Sequence, residues 1–223
     1  MSSEVTEFEI DRKDRVSQLR RGILFVVSSP SGGGKGTLIK RVLSTVPNLG
    51  YSVSYTTRPP RSGEVNGREY LFVTTDQFEK MITAEEFLEW AHVHGKLYGT
   101  SRQQVSNEIS QGRDIILEVD VQGAASVRRL LPEAVTIFIL PPSLETLRKR
   151  LVARGTDSQE ELELRLRNAP DELRNYKDFD FVIINENVER ATNQLRAVIN
   201  AERLRPRHQE DSIQTIIQNF MSE

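Results

Sequence analysis

The strongest chemical signal in the sequence is a glycine-rich segment with one lysine, SSPSGGGKGT at residues 28–37. It follows an apolar run, RGILFVVSS, and continues into TLIKRVLSTV, where apolar residues recur at helical spacing. A strand, a glycine-dense loop and a helix N-terminus suit a phosphate chain, because backbone N–H groups and the helix dipole converge on the anion. Lys35 adds a point charge for the β- and γ-phosphates. The segment therefore predicts a nucleoside triphosphate site.

This loop departs from the pattern G-x-x-x-x-G-K-[ST] at two positions. Ser29 replaces the first glycine, and Gly36 replaces the hydroxyl residue after the lysine, which leaves Thr37 as the nearest hydroxyl for Mg²⁺. The glycines allow positive φ angles. The strand–loop–helix context favours a nucleotide loop over a flexible glycine loop that only caps a helix. The predicted ATP contacts in the loop are Ser31, Gly32, Gly33, Gly34, Lys35, Gly36 and Thr37.

A second stretch, YSVSYTTRPPRSGEVNGREYLFV at residues 51–73, resembles the signature of guanylate kinases of the bacterial type. The resemblance continues, in order, through FLEWAHVHGKLYGTS, ILEVDVQGA, FILPPS and RLVARGTDSQEELELRLRNA, and covers roughly residues 22–205. It implies direct in-line transfer of the γ-phosphoryl group from ATP, with Mg²⁺, to GMP. It also implies a role in purine nucleotide metabolism.

The resemblance further implies a GMP site. Two guanidinium groups and two phenols suit a phosphate monoester dianion, whereas two arginines beside prolines are otherwise ordinary surface charge. Carboxylates suit the N1–H and N2–H₂ donors of guanine, and hydroxyls suit its O6 acceptor. The residues implied for the phosphate are Arg58, Arg61, Tyr70 and Tyr98, and those for the base are Ser54, Glu89, Thr100 and Asp120.

A mobile lid is implied around residues 150–168, where arginines flank Gly155. Arg150 and Arg154 share one helix face, and Arg165 lies on the next helix, although nearby glutamates also allow routine surface pairs. With Lys35 and Arg58, these three arginines form the expected catalytic set. No general base is required, because the attacking phosphate oxygen of GMP is already anionic.

Two strand-end residues keep alternative interpretations. Asn185 resembles a position that packs near adenine, or it is a turn residue at a strand end. Glu118 acts through water on Mg²⁺ or on Lys35, or it forms a structural ion pair.

Three further apolar runs, at 113–120, 134–140 and 179–185, are each followed by a helical pattern. Together with the first run, they predict an α/β fold of the P-loop NTPase type, with a parallel sheet flanked by helices. The expected organisation is a charged arm (1–20), a core (21–52 and 101–205), a β-rich GMP-binding insert (53–100) and a tail (206–223).

Composition limits the remaining function classes. The 223 residues include no cysteine, which excludes thiolate metal sites, and carry a net charge of −2, which argues against a general nucleic-acid surface. We expect a cytoplasmic enzyme with ATP and GMP as substrates and with no nucleic-acid or membrane partner. The sequence leaves open whether the enzyme also uses dGMP and whether it forms a homo-oligomer. The competing interpretations are an adenylate-kinase-like enzyme and a non-catalytic guanylate-kinase-like binding module.

Overall fold

The computed structural model describes residues 20–93, 95–155 and 158–222, without the side chain of Arg154. The expected arm therefore lies almost entirely outside the described residues. No helix among these residues has the length and apolar character that crossing a bilayer requires.

A five-stranded parallel sheet forms the centre of the fold. Its strands, in spatial order, are β2 (Leu49–Tyr51), β7 (Asp114–Glu118), β1 (Leu24–Ser28), β8 (Val135–Leu140) and β9 (Phe181–Ile184). The four apolar runs form β1, β7, β8 and β9, as predicted. β2 was not predicted, because three half-buried residues that include a glycine carry too little apolar pattern.

Helices cover both faces of this sheet. Phe25 and Val27 of β1 pack on one face, and Leu24 and Val26 pack on the other, as the alternation of strand side chains requires. The helices are α1 (Lys35–Leu43), α2 (Thr75–Thr83), α3 (Arg102–Ser110), α4 (Val121–Leu130), α5 (Leu144–Arg154), α6 (Gln159–Arg174), α7 (Val188–Arg203) and α8 (Pro206–Met221).

A second sheet has the order β4-β3-β6-β5, with β3 (Tyr55–Thr56), β4 (Leu71–Phe72), β5 (Phe87–Val93) and β6 (Lys96–Ser101). β5 and β6 form an antiparallel hairpin that turns at Gly95, where φ is +76°. β3 and β4 instead run parallel, and α2 follows them, so the segment is not built from hairpins alone.

α5 and α6 form a helical pair through a small apolar cluster of Leu147, Leu151, Leu162 and Ala169. Gly155 ends α5 with φ at +62°, a left-handed conformation that glycine adopts readily. The expected lid, about 150–168, falls within this pair.

Asp114 begins β7, at the end of the strands opposite the glycine loop, and contacts residues that lie far from it in sequence. It is fully buried, its Oδ1 accepts hydrogen bonds from Arg20 Nη2 at 2.6 Å and Ile23 N at 2.9 Å, and its Oδ2 accepts one from Arg203 Nε at 2.6 Å. Because the carboxylate faces two guanidinium groups, its loss leaves both cations without their buried counter-charge.

We predict that Asp114→Asn lowers the free energy of unfolding by about 3 kcal/mol, measured by urea titration. The matched control is Asp171→Asn, since Asp171 forms an ion pair with Arg174 on the surface, with side chains 78% and 80% exposed. The control is expected to stay within about 0.5 kcal/mol of the wild type. Equal losses for the two variants would contradict a structural role for Asp114.

Candidate active site

The glycine loop joins β1 to α1 with two glycines in the left-handed region. Gly32 has φ of +85° and Gly34, which precedes the first residue of α1, has φ of +94°. Gly33 does not have a positive φ, but its own Cβ would lie 2.8 Å from the side chain of Ser29. Glycine is therefore required at this third position for close approach and not for its backbone angle.

Lys35 begins α1 beside Glu118 at the end of β7. Lys35 Nζ lies 3.8 Å from Glu118 Oε1, and the hydroxyl of Tyr51 donates to Glu118 Oε2 at 3.3 Å. Burial, together with the charge of Glu118, raises the pKa of Tyr51 and keeps this phenol a donor. A Cβ at position 36 would lie 3.7 Å from Glu118 Oε2, while Thr37 is exposed on α1. Glu118 thus lies where it can act on Lys35, on a metal near position 36, or on both.

Arg58 forms a two-pronged ion pair with a carboxylate that the sequence analysis did not single out. Its Nη1 and Nη2 donate to Glu64 Oε2 and Oε1, each at 2.9 Å, and Glu64 Oε2 also accepts from the amide of Arg61 at 2.7 Å. The guanidinium lies 5.3 Å from the ring centre of Tyr70, whose ring is 5.8 Å from that of Tyr98. Arg58, Tyr70 and Tyr98 therefore lie together, with Arg61 joined to them through Glu64.

Glu89 is a buried carboxylate, 7% exposed, on β5. It pairs across the hairpin with Thr100, whose hydroxyl donates to Glu89 Oε1 at 2.6 Å. Burial, with a further contribution from the charge of Asp120, raises the pKa of Glu89 to about 7 against the opposing effect of the Thr100 hydrogen bond. Ser54 is also buried, immediately before β3, in line with Thr100 in the strand register.

Asp120 meets Glu89 over the first turn of α4. It caps that helix by accepting a hydrogen bond from Gly123 N at 2.8 Å, and a Cβ at position 123 would lie 2.9 Å from Glu89 Oε2. A carboxylate of the second sheet and one at the start of α4 therefore lie near each other. Asp120 comes two residues after Glu118, which lies beside Lys35.

Arginines of α5 and α6 donate hydrogen bonds to the glycine loop. Arg150 donates to Gly33 O at 3.1 Å and to Asn185 O at 2.8 Å, and Arg165 Nη1 donates to Ser31 Oγ. Asn185 is 1% exposed, and its amide also donates to Gly33 O at 3.0 Å. The structure places Asn185 against the loop backbone. The side chain of Arg154 lies outside the described residues.

Three side chains at the site were missed by the sequence analysis: Tyr51, Glu64 and Glu172. Glu64 could have been found, because it belongs to the GE pair of the 51–73 signature and lies six residues from Arg58. Tyr51 and Glu172 approach their partners from distant parts of the chain, and no local spacing predicts those contacts.

The described residues contain no group of three or more His, Cys, Asp or Glu side chains able to hold a metal ion by themselves. The carboxylate of Glu118 and the hydroxyl of Thr37 are oxygen donors, which Mg²⁺ prefers, and Mg²⁺ commonly keeps several waters in protein sites. These residues fit a Mg²⁺ that is bound mainly by phosphates.

Comparison with known proteins agrees with this geometry. The guanylate kinase family model matches residues 21–202. A guanylate kinase of Polaromonas sp. is 52% identical over 184 residues, covering 82% of this chain and 89% of the relative. A guanylate kinase of Dechloromonas aromatica is 51% identical over 183 residues, covering 82% and 91% respectively.

Among solved structures, the crystal structure of guanylate kinase from Anaplasma phagocytophilum matches with a TM-score of 0.73 and 30% sequence identity, covering 86% of this chain and 92% of that one. Family model, sequence relatives and three-dimensional structure therefore lead to the same assignment. This chain belongs to the guanylate kinase family.

Proposed function

We propose that two groups of residues divide the guanylate kinase reaction of this chain between them. The second sheet and Asp120 bind GMP, and the glycine loop with the α5–α6 pair binds ATP. The observation that carries the proposal is the buried carboxylate Glu89, which lies beside Asp120 at the start of α4. A nucleotide base that donates hydrogen bonds is the ligand that such a pair of acceptors recognises.

Guanine selectivity follows from the polarity of these carboxylates. Guanine offers N1–H and N2–H₂ donors to Glu89 and Asp120, and Ser54 and Thr100 complete the base site with hydroxyls. Adenine has a lone pair at N1, so it would place an acceptor against a buried carboxylate. A polar site left unpaired in this way can discriminate by roughly 10⁴-fold.

Arg58, Arg61, Tyr70 and Tyr98 supply the donors for the phosphate of GMP. Glu64 holds the Arg58 fork in one orientation before the substrate binds, which reduces the ordering cost of binding. Phosphate then competes with Glu64 for part of the guanidinium, while the rings of Tyr70 and Phe72 limit its movement.

The loop amides, Lys35 and the arginines of the lid bind the phosphates of ATP, with Arg154 included from the family resemblance. Asn185, whose amide donates to Gly33 O, is assigned to the adenine end of this site from the family resemblance. An oxygen of the GMP phosphate forms a bond to the γ-phosphorus as the bond to the bridging oxygen breaks, and ADP leaves with the electron pair. The fixed cations stabilise the charge that builds up on the transferred group.

Mg²⁺ completes the nucleotide complex. When bound with ATP, it neutralises part of the phosphate charge, and Glu118 and Thr37 would hold its water shell. Closure of the α5–α6 pair over the loop excludes water, which would otherwise accept the phosphoryl group.

A coupled ADP-release assay with ATP, Mg²⁺ and each of GMP, AMP, CMP and UMP tests the proposal. We expect turnover with GMP at least about 10³-fold above the other three, because only guanine pairs with the buried carboxylates. Turnover of AMP at a comparable rate would overturn the assignment of the base site. A folded protein that is inactive with all four would instead support the binding-module interpretation.

The raised pKa of Glu89 predicts a pH limb in GMP use. Below a pH of about 7, Glu89 is protonated in the free enzyme, which removes its negative charge and turns one of its two acceptor oxygens into a donor. The fraction of enzyme with the ionised carboxylate that guanine prefers then decreases, so kcat/KM for GMP should fall about tenfold per pH unit. Glu89→Gln should lose this limb but keep the second one, which lies at lower pH and comes from ionisation of the GMP phosphate. At pH 8 the variant should show kcat/KM for GMP reduced at least about tenfold.

The control for this profile is Glu86→Gln, an exposed carboxylate immediately before β5 that should keep the wild-type pH profile. An unchanged limb in the Glu89 variant would assign the titration to another group.

Position 36 offers a direct test of the magnesium site. Gly36→Ser fits without strain, since a Cβ there makes only ordinary contacts, and its hydroxyl would face the region of Glu118. We expect the Mg²⁺ concentration for half-maximal activity to fall by about fivefold, the effect of one added polar contact. Gly36→Ala, which adds the carbon without the oxygen, is the control. Identical Mg²⁺ titrations for the two variants would place the metal away from position 36.

A further inference from the structure

Glu172 is a carboxylate at the phosphate site that the reaction described above does not use. It lies half-buried in the last turn of α6, and its Oε2 accepts a hydrogen bond from Ser31 N at 3.4 Å. Burial raises the pKa of Glu172 above its usual value, although the Ser31 N–H and the charges of Lys35 and Arg165 oppose that shift. The side chain therefore lies within electrostatic reach of both cations.

α6 holds Ser31 at two points. Arg165 donates to the hydroxyl of Ser31, while Glu172 accepts from its backbone N–H. The two side chains are seven residues apart, which places them on the same face of one helix. A single helix thus fixes both the side chain and the backbone of one loop residue.

Ser31 comes directly before the loop residues whose backbone conformation is constrained. The next residue, Gly32, has φ of +85°, and the carbonyl of Gly33 is held by Arg150 and Asn185. The loop is therefore held at two successive places, by α6 at Ser31 and by α5 and the end of β9 at Gly33. Among these side-chain contacts, the one from Glu172 orients a backbone N–H.

We propose that Glu172 is a positioning residue for ATP: its carboxylate oxygen holds the Ser31 amide and keeps the loop in its phosphate-binding shape before the nucleotide arrives. The proposal rests on the ATP site described under the proposed function and adds the residue that prepares it. A loop that is already ordered binds its ligand more tightly, because the binding step does not have to supply the free energy of ordering.

The charge of Glu172 acts in the opposite sense to its hydrogen bond. A carboxylate beside the loop repels an incoming triphosphate, while its oxygen as an acceptor organises the loop. Removal of the whole side chain changes both effects at once. The test must therefore hold the charge constant and vary the acceptor.

Glu172→Gln and Glu172→Met provide that comparison. Both variants lose the charge and keep a side chain of similar length, but only glutamine retains an oxygen that can accept from Ser31 N–H. We expect KM for ATP to be about fivefold higher in the methionine variant than in the glutamine variant, the effect of one hydrogen bond. KM for GMP should differ by less than twofold.

Two further measurements make the result decisive. Glu163→Gln and Glu163→Met, at an exposed position of the same helix, should leave KM for ATP equal in the two variants. Calorimetric titration with ATP and Mg²⁺ in the absence of GMP should reproduce the fivefold ratio for the Glu172 pair. If the methionine variant unfolds early in a thermal melt, Glu172→Ala replaces it.

Equal ATP affinities in the glutamine and methionine variants would overturn the positioning role, as would a parallel rise in KM for GMP. The titration in the absence of GMP separates this outcome from a failure of the proposed function. A wild-type protein that binds ATP but does not turn over GMP would contradict the reaction and leave the Glu172 comparison readable.

Discussion

The cations beside the glycine loop and in the second sheet each have a carboxylate or a hydrogen-bond acceptor of the protein as partner, and this balance of charge organises the candidate site. Lys35 faces Glu118, Arg58 is held by Glu64, and Arg165 and Glu172 both hold Ser31. Each pairing keeps a cation or a loop amide oriented at modest cost, since charges close to solvent exchange partners more cheaply than fully buried ones. Under the proposed function, the phosphates of the substrates then replace contacts that already exist.

Parallel topology brings these pairs together. The carboxyl ends of parallel strands lie at one edge of a sheet, so the loop after β1, Glu118 at the end of β7 and Asn185 after β9 converge there although they are far apart in sequence. Asp114 and its arginines occupy the opposite edge. The buried ion pairs of Asp114 and the charged groups of the candidate site thus lie at opposite ends of the strands.

The proposed base site contains a carboxylate whose burial is unfavourable. Glu89 is kept nearly buried with a raised pKa, so its ionised form is less stable in the folded protein than in water. A folded-state pKa raised above the unfolded value removes stability as the pH rises through it. Under the proposed function this carboxylate is useful, because a hydrogen bond that it accepts is stronger in a desolvated site.

The central strands, the glycine loop and the family could all be predicted from the sequence, because they depend on local pattern: apolar runs, glycine spacing and the 51–73 signature. β2 and the parallel pairing of β3 with β4 could not, since short strands are defined by their neighbours and not by their own residues. Residue types at Arg58, Glu89 and Arg165 were likewise readable from the chain alone. Glu64, six residues from Arg58, was within reach of the same signature. The contacts of Glu89 with Thr100 and of Arg165 with Ser31, and the approach of Tyr51 and Glu172, arise only when the chain packs and desolvated charges must find opposite charges or hydrogen bonds.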